Sequence, residues 1–256
     1  MTGHFVTDTG VLTGRSLRHV FRSADTIITV AITPIGIMAM FVYVLGGAIS
    51  TGSGDGSYVD YLLPGILLIT IASGIAYTAF RLFNDLQGGI FERFNSMPIA
   101  RPSVLWAHVL TSLVSNGISV VLVLAVALLM GFRSAAGLGA WLALVSVLAL
   151  FTLALTWVAA LAGLSAKSAD GAVGFSYPLL FLPFVSSAFV PTGTMPGPVR
   201  AFAEHQPVTS IVDSLRALLA GQPVGPELWV ALAWCLGILL LAYLLAMRAY
   251  RRRLAG

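Results

Sequence analysis

Ser73, Ser165, His108 and Asn116 are side chains with reactive or ligating atoms deep in the apolar part of this sequence, and none is framed for catalysis. An intramembrane hydrolase needs a nucleophile beside a base, or two carboxylates, because ionisable groups at depth are costly and are kept for function. Ser73 and Ser165 lack a G-x-S-x-G turn, and no base is visible for either. His108 and Asn116 are eight residues apart, roughly on one helical face. Their expected role is a hydrogen bond to a neighbouring helix. One histidine does not make a metal site, and His4, His19 and His205 are scattered. Cys235 is the only cysteine, so neither an internal disulfide nor a cysteine cluster is available. No G-x-x-x-x-G-K-S/T segment occurs, so ATP binding through a phosphate loop is not expected. The apolar cores hold no Asp or Glu, and the buried acid of a proton-driven carrier is missing with them. The chain is not expected to be an enzyme, and any uphill transport must draw its energy from another polypeptide.

Composition sets the elements that position these groups. Of 256 residues, 58% are hydrophobic and 9% charged, with a mean hydropathy of +0.93; an ordinary soluble domain is about 25% charged. A soluble fold of this size cannot hide so much apolar surface. A water-soluble enzyme, a disordered chain and a secreted disulfide scaffold are excluded. What remains is an all-α integral membrane protein. Six runs of 20 or more residues lie between successive charged side chains, and a hydrocarbon core of about 30 Å needs about 20 residues of helix. The expected spans are 26–49, 61–80, 102–130, 138–164, 173–190 and 228–247, in one transmembrane domain over 1–256. Pro178 and Pro183 predict a kinked or broken fifth helix.

An even count puts both termini on one side. Eleven of the fourteen basic residues fall there, and only Arg133, Arg200 and Arg216 fall opposite. The positive-inside rule then predicts cytoplasmic termini, in the cytoplasmic (inner) membrane. The net charge of +4 reflects this asymmetry meeting anionic headgroups, so no nucleic-acid partner is expected. The first apolar run is too long for a signal peptide and has no A-x-A site.

Three segments break the apolar pattern. In 13–24, Leu17, Val20, Phe21 and Ala24 oppose Arg15, Arg18, His19 and Arg22, the pattern of an interfacial helix with Thr13 as N-cap. It is either an anchor or a surface for a cytoplasmic partner. In 81–101, Phe83, Leu86, Ile90, Phe94 and Met97 form an apolar stripe opposite Asp85 and Glu92, and Gly88 and Gly89 interrupt the helix. It is an interfacial connector or a docking helix for a soluble partner. The third, 191–227, holds six prolines and four glycines. Within it 208–219 is expected to be a re-entrant or interfacial helix too short to span, with Asp213 and Arg216 paired. It is a cap on the bundle or an external gate.

Two short motifs in this order point further. Phe91, Glu92, Arg93 and Phe94 followed by Ser96, Met97, Pro98 and Ile99 are similar to the E-R and M-P-I signature of the type-2 permeases of ATP-binding-cassette exporters, in particular daunorubicin-resistance-like half-transporter subunits. The stretch Phe189, Val190, Pro191, Met195, Pro196, Phe202, Gln206, Pro207, Val208 and Thr209 resembles that family's external segment before the last span. The chain departs from the family at His108, where many members carry Lys or Arg.

The resemblance implies a permease homodimer with two cytoplasmic ATPase subunits, which hold the ATP and Mg; this chain needs no cofactor. The segment 83–98 becomes the coupling helix, with Asp85, Phe91, Glu92, Arg93, Phe94 and Met97 touching the ATPase. Arg15, Arg18 and Arg22 lie on the interfacial helix beside it. The hairpin 191–227, with Phe189, Pro191, Asp213 and Arg216, caps the path from outside. Tyr77, Phe80, Trp106, Asn116 and Phe184 line an apolar path or pack helices. The substrate implied is a hydrophobic or amphipathic drug-like molecule or a lipid. A lipid-linked polysaccharide or glycolipid permease, a membrane-embedded lipid transferase and a non-transporting scaffold are the alternatives.

Overall fold

The computed structural model describes residues 5–22, 24–46, 58–88 and 102–255, and every element among them is helical. In chain order these are α1 (Phe5–Arg22), α2 (Ala24–Ala39), α3 (Tyr58–Gln87), α4 (Pro102–Leu129), α5 (Leu138–Ser165), α6 (Ala169–Gly174), α7 (Ser176–Phe181), α8 (Gly197–His205), α9 (Pro207–Leu219) and α10 (Glu227–Ala255). Four are long and apolar enough to cross a membrane: α3, α4, α5 and, over Glu227–Arg253, α10. The first and fifth expected spans are shorter apolar helices, Val30–Val44 and Ala169–Val185. The first carries Pro34 inside α2 and then widens into a π turn over Met40–Leu45.

The hub is α3. Leu62, Leu63, Ile66, Leu67, Leu68, Ile69 and Ile71 are all buried, so no face of its first half is left for solvent or lipid. A helix apolar on every side belongs in the centre. Six neighbours cover it: α2, α4, α5, α6, α7 and α9. Lipid tails are as apolar as leucine, so these helices associate through close packing rather than through a hydrophobic gain. Glycine supplies the closeness. A Cβ on Gly65 would lie 2.6 Å from the Ala188 Cβ, and one on Gly163 would lie 2.9 Å from the Ala79 carbonyl oxygen.

At 30 residues α3 is about 45 Å long, longer than a hydrocarbon core of about 30 Å. Its last turns therefore include Phe83–Gln87, which the sequence assigned to a separate coupling helix beginning at 83. Phe83 is buried and Leu86 packs on the inner core, so this part of the expected stripe faces its own bundle. The helix stops where glycine was expected to stop it, at Gly88, whose N–H bonds the Asn84 carbonyl at 2.8 Å. The remaining coupling residues Phe91, Glu92, Arg93, Phe94 and Met97 lie outside the described residues.

The amphipathic helix also differs from expectation. The sequence places it at 13–24 with Thr13 capping it. Among the described residues it runs from Phe5, and Thr13 sits mid-helix with its hydroxyl donating to the Thr9 carbonyl at 2.7 Å. Gly10 and Gly14 argue locally against a helix here, but α1 packs along α4, and tertiary contact outweighs propensity. Arg15 and Arg18 are exposed on it.

The fifth stretch is broken into α6, α7 and a 3-10 turn over Leu182–Val185, as Pro178 and Pro183 require. It follows α3 from the α5 C-terminus, where Gly163 meets Ala79, to Ser187, whose carbonyl accepts the Tyr61 hydroxyl at 3.0 Å. The carbonyls freed at the break are taken up by side chains. Gln206 Nε2 donates to Val185 (2.8 Å) and Leu182 (3.2 Å), and the Tyr58 hydroxyl reaches Phe189. Non-helical backbone at membrane depth persists only when its groups are satisfied in this way.

Two helix ends close on left-handed glycines. The Gly131 N–H bonds Leu128 and the Phe132 N–H bonds Ala127; the Gly221 N–H bonds Leu218 and the Gln222 N–H bonds Ala217. Both are Schellman ends, with φ of 103° and 65° at the glycines. Only Gly221 is also crowded: a Cβ there would lie 2.7 Å from the Ala135 carbonyl oxygen. Gly221→Ala is expected to cost about 2 kcal/mol and Gly131→Ala about 1 kcal/mol, the difference being the collision. Thermal unfolding of the two variants in one detergent reads this order.

Candidate functional site

Polar side chains in an apolar bundle mark the places where function is built. The structure collects them at three levels. At the end where α3 begins, Arg216 of α9 is the centre. Its Nη1 donates to Asp213 Oδ1 at 2.8 Å, and its Nη2 donates to the carbonyls of Ser187 (2.8 Å) and Tyr61 (3.2 Å). The guanidinium carbon stands 3.9 Å from the centre of the Tyr61 ring, a stacking arrangement arginine favours. The Ser187 hydroxyl donates to the same Asp213 oxygen at 2.7 Å. The expected i,i+3 pair thus exists and is one part of a knot joining α3, α9 and the end of the broken stretch. Phe189 is buried beside it, stacked on Phe184 at 4.8 Å and near Phe41. Pro191 opens a 3-10 turn (Thr192–Thr194) and its carbonyl accepts Thr194 Oγ1 at 2.8 Å. Tyr61 and Ser187 were not singled out in the sequence. Their signal is a hydroxyl inside an otherwise apolar run, which is common and therefore weak.

At the opposite end, Asp85 Oδ2 lies 3.2 Å from His108 Nε2. The other ring nitrogen of His108 is buried without a partner. Asp85 is on the last turns of α3 and His108 on the first turns of α4, so the pair ties together the two roots of the connector 89–101. The histidine supplies an intrachain partner for Asp85.

Between the two ends runs a hydroxyl ladder. Thr78 Oγ1 and Ser112 Oγ are 2.8 Å apart, and Ser112 Oγ and Thr156 Oγ1 are 3.3 Å apart, linking α3, α4 and α5. Asn116, 2% exposed, donates to the Ser112 carbonyl and hydroxyl, and its Oδ1 faces Gly74 with no donor. Of the two residues expected to hydrogen-bond a neighbouring helix, His108 does so, to Asp85 of α3, whereas Asn116 bonds Ser112 of its own helix and it is Ser112 that reaches α3 and α5.

The five residues expected on an apolar path are not gathered in one place. Tyr77 and Phe80 are exposed near the end of α3. Trp106 packs edge-on to Trp157 at 5.3 Å, beside Tyr243, and fills the gap between α4, α5 and α10. Asn116 belongs to the ladder and Phe184 to the aromatic group around Phe189. Tyr77 and Phe80 stay together, ring centres 6.4 Å apart, and the scatter arises because the five residues stand on α3, on α4 and in the 3-10 turn after α7. Among the described residues no group of three His, Cys, Asp or Glu side chains is placed to hold a metal.

Residues 7–220 match the family described as ABC-2 type transporter. The chain belongs to the ABC-2 type transporter family. The match takes in α1 to α9 and ends just before the last helix. Two curated relatives are similar over most of their length. A daunorubicin resistance ABC transporter permease protein, DrrB1 of Streptomyces coeruleorubidus, is 28% identical over 89% of this chain and 80% of its own. A probable doxorubicin resistance ABC transporter permease protein, DrrC of Mycobacterium tuberculosis, is 25% identical over 97% of this chain and 90% of its own. This ABC-2 permease is therefore homologous to the permeases of drug-resistance ABC exporters, subunits that are not themselves enzymes. Membership implies a membrane setting and an ABC ATPase partner. In this chain the knot around Arg216 and the pair Asp85–His108 sit at the two ends of one packed bundle.

Proposed function

We propose that this permease exports an amphipathic drug-like molecule or lipid, powered by ATP hydrolysis in a partner subunit that docks on the connector 89–101. The observation that carries the reading is the family match across nine of the ten helices. The drug-resistance relatives support an amphipathic cargo, and the spans without Asp or Glu suit one of low charge. The chain crosses the inner membrane six times with both ends in the cytoplasm, counting Val30–Val44 and the broken Ala169–Val185 as spans. It works as a homodimer. Glu92 and Phe94 dock the ATPase, and Asp85 braces the docking segment through His108. A stroke received there passes to α3 and α4 together, and the ladder carries it on to α5. The two copies rock from inward-open to outward-open, and the knot around Arg216 holds the outer end closed between strokes.

The test is a pair of substitutions. Co-purified with its ATPase, the wild-type chain is expected to support ATP hydrolysis coupled to efflux. Glu92→Ala and Phe94→Ala are each expected to lower recovery of the complex or efflux per ATP by about tenfold, the effect of losing about 1.4 kcal/mol of contact. Wild-type assembly and efflux in both variants would refute the docking role.

A further inference from the structure

At the end where α3 begins there is a cavity of about 590 Å³ beside the knot around Arg216. Its size falls within the range of small-ligand sites, about 300–1,000 Å³. It lies between the first turn of α3, the α4–α5 turn and α9, and its walls include Asp60, Phe132, Arg133, Ala217, Leu219 and Gln222. Four formal charges line it. Asp213 and Arg216 neutralise each other in the knot. The other two do not pair. Among the described residues Asp60 Oδ1 accepts the main-chain N–H of Arg133, at 3.3 Å. Arg133 points its Nη1 at the Phe132 and Leu128 carbonyls, 2.9 and 3.4 Å away. Among the described residues no carboxylate reaches its guanidinium and no cation reaches Asp60. The cavity therefore offers one negative and one positive group on adjacent walls, and between them apolar surface.

The surroundings say what carries the matching charges. At this end of the bundle Leu129 is 88% exposed, Leu138 79% and Trp229 73%. In a membrane protein, side chains of that size left bare at this end of the bundle are solvated by acyl chains. A tryptophan at such a level marks the border of hydrocarbon and headgroups. We propose that the cavity binds the headgroup of a zwitterionic phospholipid. Its ammonium lies on Asp60 and its phosphate on the unused donors of Arg133, which presents five in a fork suited to phosphate. The neck of the lipid lies on Phe132 and Leu219. This deepens the exporter reading, on which it rests for the membrane placement of this end.

Binding is measured on the full-length chain without ATPase, so a failed exporter reading leaves the result intact. The chain is purified in detergent, stripped of lipid and titrated with phosphatidylethanolamine, phosphatidylglycerol or soluble O-phosphoethanolamine, with native mass spectrometry as readout. Wild type is expected to prefer phosphatidylethanolamine over phosphatidylglycerol by about tenfold, the equivalent of one charged contact. Asp60→Asn removes the preference. Arg133→Gln weakens both lipids. Ala217→Trp fills the cavity, leaves both charges in place and weakens both lipids. Unchanged binding in Ala217→Trp overturns the proposal even if a charge variant fails to fold, and so does an unchanged preference in Asp60→Asn. Binding of O-phosphoethanolamine as tight as that of the lipid overturns the phospholipid assignment in favour of a soluble zwitterion.

Discussion

Arg216→Ala is expected to destabilise the protein by about 3 kcal/mol and to abolish efflux while leaving ATPase binding intact. The guanidinium makes three hydrogen bonds and stacks on Tyr61. Removing it leaves the Ser187 carbonyl with the Tyr61 hydroxyl alone and Asp213 with the Ser187 hydroxyl alone. Hydrogen bonds to charged groups contribute about 1.5–3 kcal/mol each. The total is held down because both side chains of the pair are partly exposed, 24% and 36%, so water recovers part of the loss. Arg216→Lys keeps the charge without the fork and is expected to recover less than half. The split between efflux and assembly follows from position, since the knot and the connector are at opposite ends of α3. Apparent melting temperature, co-purification and whole-cell efflux measured on one variant set test all three parts.

Gly74→Val is expected to be nearly as damaging, at about 3 kcal/mol, and its cause is checkable by a second substitution. Any Cβ on Gly74 runs into the Asn116 amide. Asn116 is buried and hydrogen-bonded to Ser112, the middle rung of the ladder joining α3, α4 and α5. Overpacking costs about 1–3 kcal/mol, and displacing the amide from its partners adds to it. Asn116→Ala removes the obstacle. Gly74→Ala is therefore expected to be well tolerated in that background and poorly in wild type. Additive effects in the double variant would show that the clash is not what makes the glycine necessary.

How much of this was legible in the sequence follows a physical division. Gaps between charged residues locate helices well, because the hydrocarbon forbids charge. The bounds 102–130 and 138–164 differ from α4 and α5 by one residue at most. Pro178 and Pro183 announced the broken stretch, since proline removes a backbone donor wherever it stands. The pair Asp213–Arg216 was legible because i,i+3 neighbours meet on any helix. Charge alone could not mark the end of α3, whose polar last turns, Phe83–Gln87, continue the same helix. Nor could periodicity extend α1 back through Gly10 and Gly14, because packing on α4 supports it. Contacts between residues far apart in the chain, such as Arg216 with Tyr61, Gln206 with Val185 and Asp85 with His108, have no local signature. The candidate path failed to gather for the same reason: aromatics on three spans say nothing of which face each presents.

In the proposed transport cycle, power enters through the segment between α3 and α4. A photo-crosslinking amino acid placed at Glu92, with a control at Trp229 on the opposite end, tests it in membranes containing the co-expressed ATPase. The expected result is an adduct of permease and ATPase from position 92 that depends on light and is missing from position 229. No adduct at 92, or one at 229 in its place, would contradict the account.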